Sequence, residues 1–263
     1  MNKPLAFLLA VVLAFGTFIA VQARRVRGRA PASAPAVERD TAAATAVATE
    51  EGNLVRVRRS SLPPPPPRDY AAIERALTDG RDPNTYVDEV LRSRGGNIAR
   101  WIDRSNNPVT VWIQPKSTVK DFWPNYREMA RDAFYNWSSA GIPIRFLFID
   151  DSTAAEVRVK WVENFPDKAA GKTYWARDVN WWILGADIEL ALHSQSGEAI
   201  DKQAVHAIAL HEVGHLIGLD HSSNPDNIMA PRVRAMALSP MDLRTAHLVY
   251  KLPPGPTKAT EGR

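Results

Sequence analysis

The feature that most constrains the fold is the stretch HEVGHLIGLDH at residues 211–221. It places His211 and His215 four residues apart, and residues at that spacing share one face of a helix. Gly218 stands where a left-handed turn can end a helix without steric cost, so the chain can double back and bring His221 to the same point. The stretch therefore predicts a helix, a glycine turn and three imidazoles that meet at one place.

Three imidazoles with an open fourth position are typical of a catalytic zinc site, since structural zinc sites take four protein ligands. Glu212 lies one position round the helix, close to the metal but out of line for a ligand. Its predicted role is that of general base, which accepts a proton from a metal-bound water and passes it on. The alternative is a polar helix face with several histidines, and it requires five fixed positions to match by chance, with odds on the order of 10⁻⁴. The motif thus predicts one Zn²⁺ bound by His211, His215 and His221.

The motif HExxHxxGxxH, followed by a turn that carries a methionine, resembles the signature of the metzincin zinc peptidases. Ser222, directly after the third histidine, and Ile228-Met229-Ala230-Pro231 resemble the matrixin branch of that group. The resemblance covers residues 100–252 and implies a metalloendopeptidase with protein or peptide substrates. It also implies that Met229 lies beneath the metal ligands and that residues 231–234 form part of the wall of the main specificity pocket.

The chain departs from that family in three respects. Residues 164–185 match the stretch where matrixins carry ligands of a second, structural zinc, but they contain no histidine, and His193 alone cannot replace that set. We therefore expect a single zinc ion. The chain has no cysteine, so the pro-segment cysteine that blocks many matrixins is missing. Calcium sites are common in the family, but no clear acidic loop supports Ca²⁺ binding here.

Several other residues admit two interpretations. A group of three tryptophans could form the rim of a substrate cleft or belong to the core. Asp220 could be a carboxylate that supports a ligand histidine or an exposed loop acid. His206 and His247 show no ligand pattern and are interpreted as structural. The three tryptophans are Trp175, Trp181 and Trp182.

Hydrophobic periodicity predicts an α+β fold whose elements follow the order strand, helix, three strands, helix, loop, helix. We expect a mixed, twisted sheet of four to five strands with three helices, as in a zincin-like catalytic domain. The predicted strands are 109–113, 144–149, 156–162 and 186–192, and the predicted helices are 125–139, 204–218 and 239–250.

The predicted catalytic domain spans residues 97–252, and three segments precede it. Residues 1–23 have a basic start and an apolar run over residues 5–21, which predicts a targeting segment. A cleaved signal peptide and an uncleaved membrane anchor both stay open, and either makes the protein secreted or extracytoplasmic. Several arginines follow the apolar run, and such a cluster disfavours export of the residues after it. The alternative is therefore a membrane segment in the opposite orientation, with the rest of the chain on the cytoplasmic side. Residues 24–68 are predicted to be a disordered linker rich in Pro, Ala and Arg, 69–96 a short helical pre-domain, and 253–263 a disordered tail.

The net charge of +4 does not indicate a nucleic-acid partner, because the positive charge is unevenly placed. Residues 24–68 carry nine arginines against four acids, whereas residues 69–263 are slightly acidic. The basic character therefore belongs to the predicted linker, and we expect no nucleic-acid binding. We expect a monomer. The alternative function is that of an envelope-tethered, zinc-containing binding protein without hydrolytic activity.

Overall fold

A mixed β-sheet forms the framework of the computed structural model, which describes residues 45–48, 54–80 and 84–259. In chain order, the strands of this part of the chain are β1 (Thr45–Ala48), β2 (Leu54–Val57), β3 (Asn97–Ile98), β4 (Arg104–Ile113), β5 (Ile144–Phe148), β6 (Val157–Val162), β7 (Gly171–Arg177), β8 (Ile183–Ala191) and β9 (Gly255–Pro256). Its helices are α1 (Tyr70–Gly80), α2 (Val87–Ser93), α3 (Tyr126–Ser138), α4 (Lys202–Leu216) and α5 (Pro240–Lys251).

Among the described residues, the main sheet has seven strands in the order β1-β2-β7-β8-β6-β4-β5, and β3 pairs with β9 in a second, small sheet. The pairs β4–β5, β4–β6 and β6–β8 are parallel, whereas β7 runs antiparallel to β8. On its other edge β7 pairs with β2 only at Ala176 and Arg177. The segment Gly171–Trp175 therefore forms the part of the β7 edge that β2 does not cover.

Helices α3 and α4 pack against each other and against the sheet. The Nε1 of the fully buried Trp137 on α3 donates to the carbonyl oxygen of Leu210 on α4 at 2.9 Å. This bond satisfies the one polar atom of a large apolar side chain, which lets it pack in the core at no desolvation cost. Helix α4 also contacts β7 and β8. The bond from Thr173 Oγ1 to the Glu212 carbonyl joins the C-terminal half of α4 to β7.

The predicted α+β class with a mixed sheet is confirmed, but the element counts differ. Strand β7 was not predicted, because its burial pattern lacks a strict alternation of buried and exposed positions. Strand β4 begins at Arg104, although the sequence predicts its start after Pro108. Its register with β5 shifts between Arg104 and Val109, and such an irregularity accommodates a proline within a strand.

The N-terminal segments differ from the expectation of a linker followed by a separate helical pre-domain. Residues 54–57 form strand β2, and the residues after it are fixed by bonds to the domain. Ser60 Oγ donates to Asp178 Oδ2 at 2.7 Å, and Trp182 Nε1 donates to the Pro63 carbonyl at 3.0 Å. A proline-rich chain has no core of its own, but here it gains order from partners that lie far away in sequence.

The two helices of the predicted pre-domain belong to the same hydrophobic core as the sheet. Their core residues are Ile73, Leu77, Val87, Val90 and Leu91. At the other end, residues 255–256 pair with β3, which differs from the expected disordered tail. The predicted targeting segment lies outside the described residues. None of the helices that are described has the length and apolar composition needed to cross a membrane.

Candidate metal centre

Three histidine side chains meet at the C-terminal end of α4. His211 and His215 lie on successive turns of the helix, and their Nε2 atoms are 3.1 Å apart. His221 follows the turn at Gly218, and one ring nitrogen from each of the three residues lies within 4.8 Å of the others. Two nitrogens on one tetrahedral zinc, each bound at about 2.0–2.1 Å, are about 3.3 Å apart. The predicted ligand set is therefore brought together in a spacing that fits zinc.

The Nδ1 atoms of the two helical histidines face backbone carbonyls. His211 Nδ1 lies 2.8 Å from the Ile228 oxygen, and His215 Nδ1 lies 3.3 Å from the Leu219 oxygen. Because a carbonyl only accepts, each ring carries a proton on Nδ1 and offers the Nε2 lone pair. Burial lowers the pKa of His211 to about 4 and the pKa of His215 well below 6.5. Both rings are thus neutral near pH 7, the form that a metal ion requires.

Glu212 lies beside the ligands and is held from strand β7. Thr173 Oγ1 donates to Glu212 Oε2 at 2.7 Å. A Cβ at Gly171 would lie only 2.5 Å from Glu212 Oε1, so the absence of a side chain there leaves room for the carboxylate. Burial raises the pKa of Glu212 to about 7, against opposing effects of the Thr173 hydrogen bond and the Lys172 charge. Sequence reasoning missed these β7 residues because it missed the strand.

Met229 packs directly against α4 at Gly214, the residue before His215. The side chain is fully buried. A Cβ on Gly214 would lie 2.2 Å from Met229 Sδ and 3.3 Å from the ring of Trp137. Gly214 therefore allows the methionine to lie against the backbone of α4, and its place beneath the metal ligands stays a prediction of the family resemblance.

The methionine turn is tied to the third histidine and to α5. Ser222 N donates to the Met229 carbonyl at 2.8 Å, and Asn227 Nδ2 donates to Ser222 Oγ at 2.7 Å. Ser239, the N-cap of α5, donates from Oγ to Asn227 Oδ1 at 2.7 Å. Ser222 thus joins the chain directly after His221 to the turn that contains Met229.

A fully buried carboxylate, Asp242 on α5, organises the same turn. Its Oδ2 accepts the Ile228 N–H at 2.9 Å and the Ser239 N–H at 2.8 Å, and its Oδ1 accepts the Tyr86 hydroxyl at 3.0 Å. Because the Ile228 carbonyl faces His211, a continuous hydrogen-bonded chain links Tyr86 to a predicted ligand. Only the Ser-Pro-x-Asp capping pattern at 239–242 could have indicated Asp242 from the sequence.

Asp220 supports the backbone before His221, and only 14% of its side chain is exposed. Its Oδ2 accepts the Ser93 hydroxyl at 2.7 Å and pairs with Arg94 at 3.5 Å, and its Oδ1 accepts the backbone N–H of His221 at 2.8 Å. The pKa of Asp220 is lowered in spite of burial, chiefly by the charge of Arg94. This finding selects the supporting role from the two interpretations of the sequence.

The remaining residues considered in the sequence lie away from the triad. The rings of Trp175 and Trp182 are buried in the domain, while Trp181 is partly exposed beneath the guanidinium of Arg177. The other three histidines face groups outside the metal centre. His206 faces Asp132, His247 faces the Ala140 carbonyl, and His193 faces Asp121 and Glu163.

An open cleft of about 450 Å³ lies in front of the triad and Glu212. One wall is the segment from Asp167 to Lys172, which leads into β7. The opposite side is largely apolar, and its residues come from α4 and from the chain after Met229. They are Ala204, Ala207, Ile208, Pro231, Arg232, Val233 and Met236. Three of the four residues 231–234 line this cleft, and their part in a specificity pocket stays a prediction.

Comparison with known proteins gives a consistent result. A family model described as Matrixin matches residues 101–251. Human Matrix metalloproteinase-15 is 26% identical over 188 residues, which cover 60% of this chain. Metalloendoproteinase 1-MMP of Arabidopsis thaliana is 32% identical over 120 residues, or 40% of this chain, and Matrilysin of Felis catus is 45% identical over 49 residues, or 17%. These alignments span 26%, 31% and 19% of the respective relatives, so they compare only a part of each protein.

Proposed function

The chain belongs to the matrixin family, and on that premise we propose that it is a zinc-dependent endopeptidase that hydrolyses bonds in protein or peptide substrates. The observation that carries the proposal is the convergence of three imidazoles beside a buried carboxylate in an open cleft. The family implies a zinc site, and the spacing and protonation of the rings fit that ion. We assign the three ligands to His211, His215 and His221.

We assign general-base catalysis to Glu212. When bound, zinc polarises a scissile carbonyl and makes water more acidic. Glu212 lines the cleft, and Thr173 holds its Oε2, which fixes the orientation of the carboxylate. Its Oε1 would take the proton of the attacking water and deliver it to the leaving amine. Burial raises the pKa of Glu212 to about 7 without metal, and a zinc ion beside it would lower that pKa and so favour the ionised form that a base requires.

The substrate backbone would bind along strand β7. An extended peptide adds a strand to an exposed sheet edge through main-chain hydrogen bonds. The segment Gly171–Trp175 is the part of that edge which β2 leaves uncovered, and its first residues line the cleft beside Glu212. This arrangement would place a bound chain between the strand edge and the apolar wall of α4.

The substitution Glu212→Gln tests the catalytic assignment. We expect it to lower the rate of casein or peptide cleavage by roughly 10²- to 10⁴-fold, because the amide cannot accept the proton. Metal analysis should still find one zinc ion per chain. The exposed Glu198 provides the control, since Glu198→Gln should cleave as fast as the parent. A Glu212→Gln enzyme that cleaves at the parental rate would refute the assignment.

The parent protein also decides between the two functions. A chain that binds one zinc ion but cleaves no member of a broad peptide library would favour the zinc-containing binding protein. The proposed extracytoplasmic location is tested separately, by sequencing the N-terminus of the protein isolated from its native cell envelope or medium. A start at Arg24 supports a cleaved signal peptide, and an intact Met1 supports an anchor.

A further inference from the structure

The helix α2 and the residue after it contact the loop that connects the second and third histidines. We call residues 217–223 the ligand loop. Hydrogen bonds and an ion pair reach it from Glu89, Ser93 and Arg94, which precede the stretch matched by the family model. They include bonds from Ser93 to Asp220 and from Glu89 to Ser223. The segment interpreted from the sequence as a pre-domain is thus in direct contact with the metal centre.

Arg94 makes the most extensive of these contacts. Its Nη1 donates to the Gly218 carbonyl at 2.5 Å, and its Nη2 donates to the Leu219 carbonyl at 2.8 Å. Nη2 also lies 3.5 Å from Asp220 Oδ2, and the guanidinium lies over the ring of Trp175. Only 6% of the Arg94 side chain is exposed. The guanidinium therefore binds two consecutive carbonyls and a carboxylate of the ligand loop from the interior side.

The carbonyls that Arg94 binds belong to the part of the backbone that sets the positions of the histidines. The Leu219 oxygen faces both Arg94 and Nδ1 of His215. Asp220 faces Arg94 through Oδ2 and holds the His221 N–H through Oδ1. A planar guanidinium fixes the direction of both acceptors, which a single ammonium charge cannot do. Displacing it would change the backbone on which His215 and His221 depend.

Glu89 and Ser93 extend this contact along one side of α2. Glu89 Oε2 accepts the Ser223 N–H at 2.7 Å, and its Oε1 accepts the Ser223 hydroxyl at 3.1 Å. Ser93 Oγ bonds Asp220 on the same oxygen that faces Arg94. The three side chains thus bind the ligand loop at Gly218 to Asp220 and again at Ser223.

We propose that Arg94 is a positioning residue of the zinc site and that residues 86–94 are a permanent part of the metal centre. The inference rests on the proposed zinc site but not on peptide hydrolysis. It implies that an activation cut near Gly95 that removed the preceding chain would weaken zinc binding. It also implies that the working enzyme begins upstream of Tyr86.

The test compares full-chain variants by zinc affinity and by the absorption spectrum of the cobalt(II)-substituted protein. We expect Arg94→Met to weaken zinc binding by roughly 10- to 100-fold, the usual effect of losing a group that orients metal ligands. The visible d–d bands of bound cobalt should shift, because the ligand geometry changes. Arg94→Lys keeps the charge but not the planar fork, and it should fall between the parent and Arg94→Met.

The exposed Arg92, on the same helix, provides the matched control, and Arg92→Met should keep the parental affinity and spectrum. Circular dichroism of the metal-free proteins establishes that each variant is folded. If Arg94→Met does not fold, Arg94→Lys decides the question. A folded Arg94 variant with parental affinity and an unchanged cobalt spectrum overturns the inference. A parent protein that binds no zinc overturns the proposed function instead.

Discussion

The two halves of the metal centre are built in different ways. His211 and His215 are spaced by the regular backbone of α4, so four residues of helix are enough to place them side by side. The ligand loop instead depends on residues more than a hundred positions earlier. Arg94 donates to its carbonyls, Ser93 Oγ donates to Asp220, and Glu89 accepts the Ser223 N–H. One half is specified locally and the other by tertiary contacts.

This difference explains why a short motif suffices to recognise the site but not to describe it. The motif records the ligands and Gly218, whereas the side chains that shape the loop lie in a segment with no signature. We expect α4 and the ligand loop to unfold separately, because a helix keeps its backbone hydrogen bonds when a neighbouring loop opens. Perturbations of the centre should therefore act more strongly on the ligand loop than on α4.

Removal of the metal should have the largest effect and should reveal this asymmetry. A ligand held at 1,000 times its dissociation constant stabilises the folded state by about 4 kcal/mol, so chelation should lower the apparent stability by about that amount. Hydrogen exchange at residues 217–223 should then accelerate more than exchange at residues 205–215. Chelator already saturated with zinc serves as the control. Equal acceleration in both segments would mean that α4 depends on the metal as much as the loop does.

Gly218→Ala should have the next largest effect, because Gly218 lies where α4 continues into the ligand loop. Gly218 has φ +101°, and a Cβ there would lie 2.2 Å from the Ala99 carbonyl oxygen. Backbone strain and the clash with a fixed main-chain atom together should cost roughly 3 kcal/mol in the free energy of unfolding. We expect zinc affinity to fall as well, since either the loop or β3 and the residue after it must move. Chemical denaturation and zinc titration measure the two effects.

The substitution Gly197→Ala measures the backbone strain of a positive φ without the steric clash that Gly218→Ala adds. It also has a positive φ, +85°, but no atom lies within 4 Å of the position that a Cβ would take. Gly197→Ala should therefore cost about 1 kcal/mol and leave zinc binding unchanged. If the two variants lose the same stability and both keep parental zinc affinity, the close approach of Ala99 has no part in positioning the loop.

The sequence predicted the residues whose roles follow from local spacing. The helix bounds of α3, α4 and α5 agree with the structure to within two residues, because caps and 3.6-residue periodicity are local properties. Strand β7 was missed, since its seven residues gain their order from pairing with β8. Because the strand was missed, its residue Thr173, which holds Glu212, was missed as well. Arg94 could not be found at all, because nothing in residues 86–94 indicates which loop they will meet.

Among the substitutions of residues linked to the metal centre, Tyr86→Phe should have the smallest effect, and it tests whether α4 is independent of the N-terminal segment. The Tyr86 hydroxyl bonds Asp242, and the connection continues through Ile228 to His211. Loss of one hydrogen bond to a buried carboxylate should cost about 1.5 kcal/mol in unfolding free energy. Zinc affinity should change less than in Arg94→Met, because Asp242 keeps its bonds to Ile228 and Ser239.

The control for this substitution is Tyr135→Phe, at a tyrosine on α3 that is 53% exposed, and its unfolding free energy should equal that of the parent. Denaturation and zinc titration of both variants give the comparison. If Tyr86→Phe weakened zinc binding as much as Arg94→Met, two routes could carry the effect: Asp242 and Ile228 lead to His211 on α4, whereas residues 89–94 lead to the ligand loop. Faster hydrogen exchange at residues 205–215 than at residues 217–223 would identify the first route. In that case the helical ligands would depend on remote contacts as the loop does. The whole domain, and not the motif alone, would then specify the site.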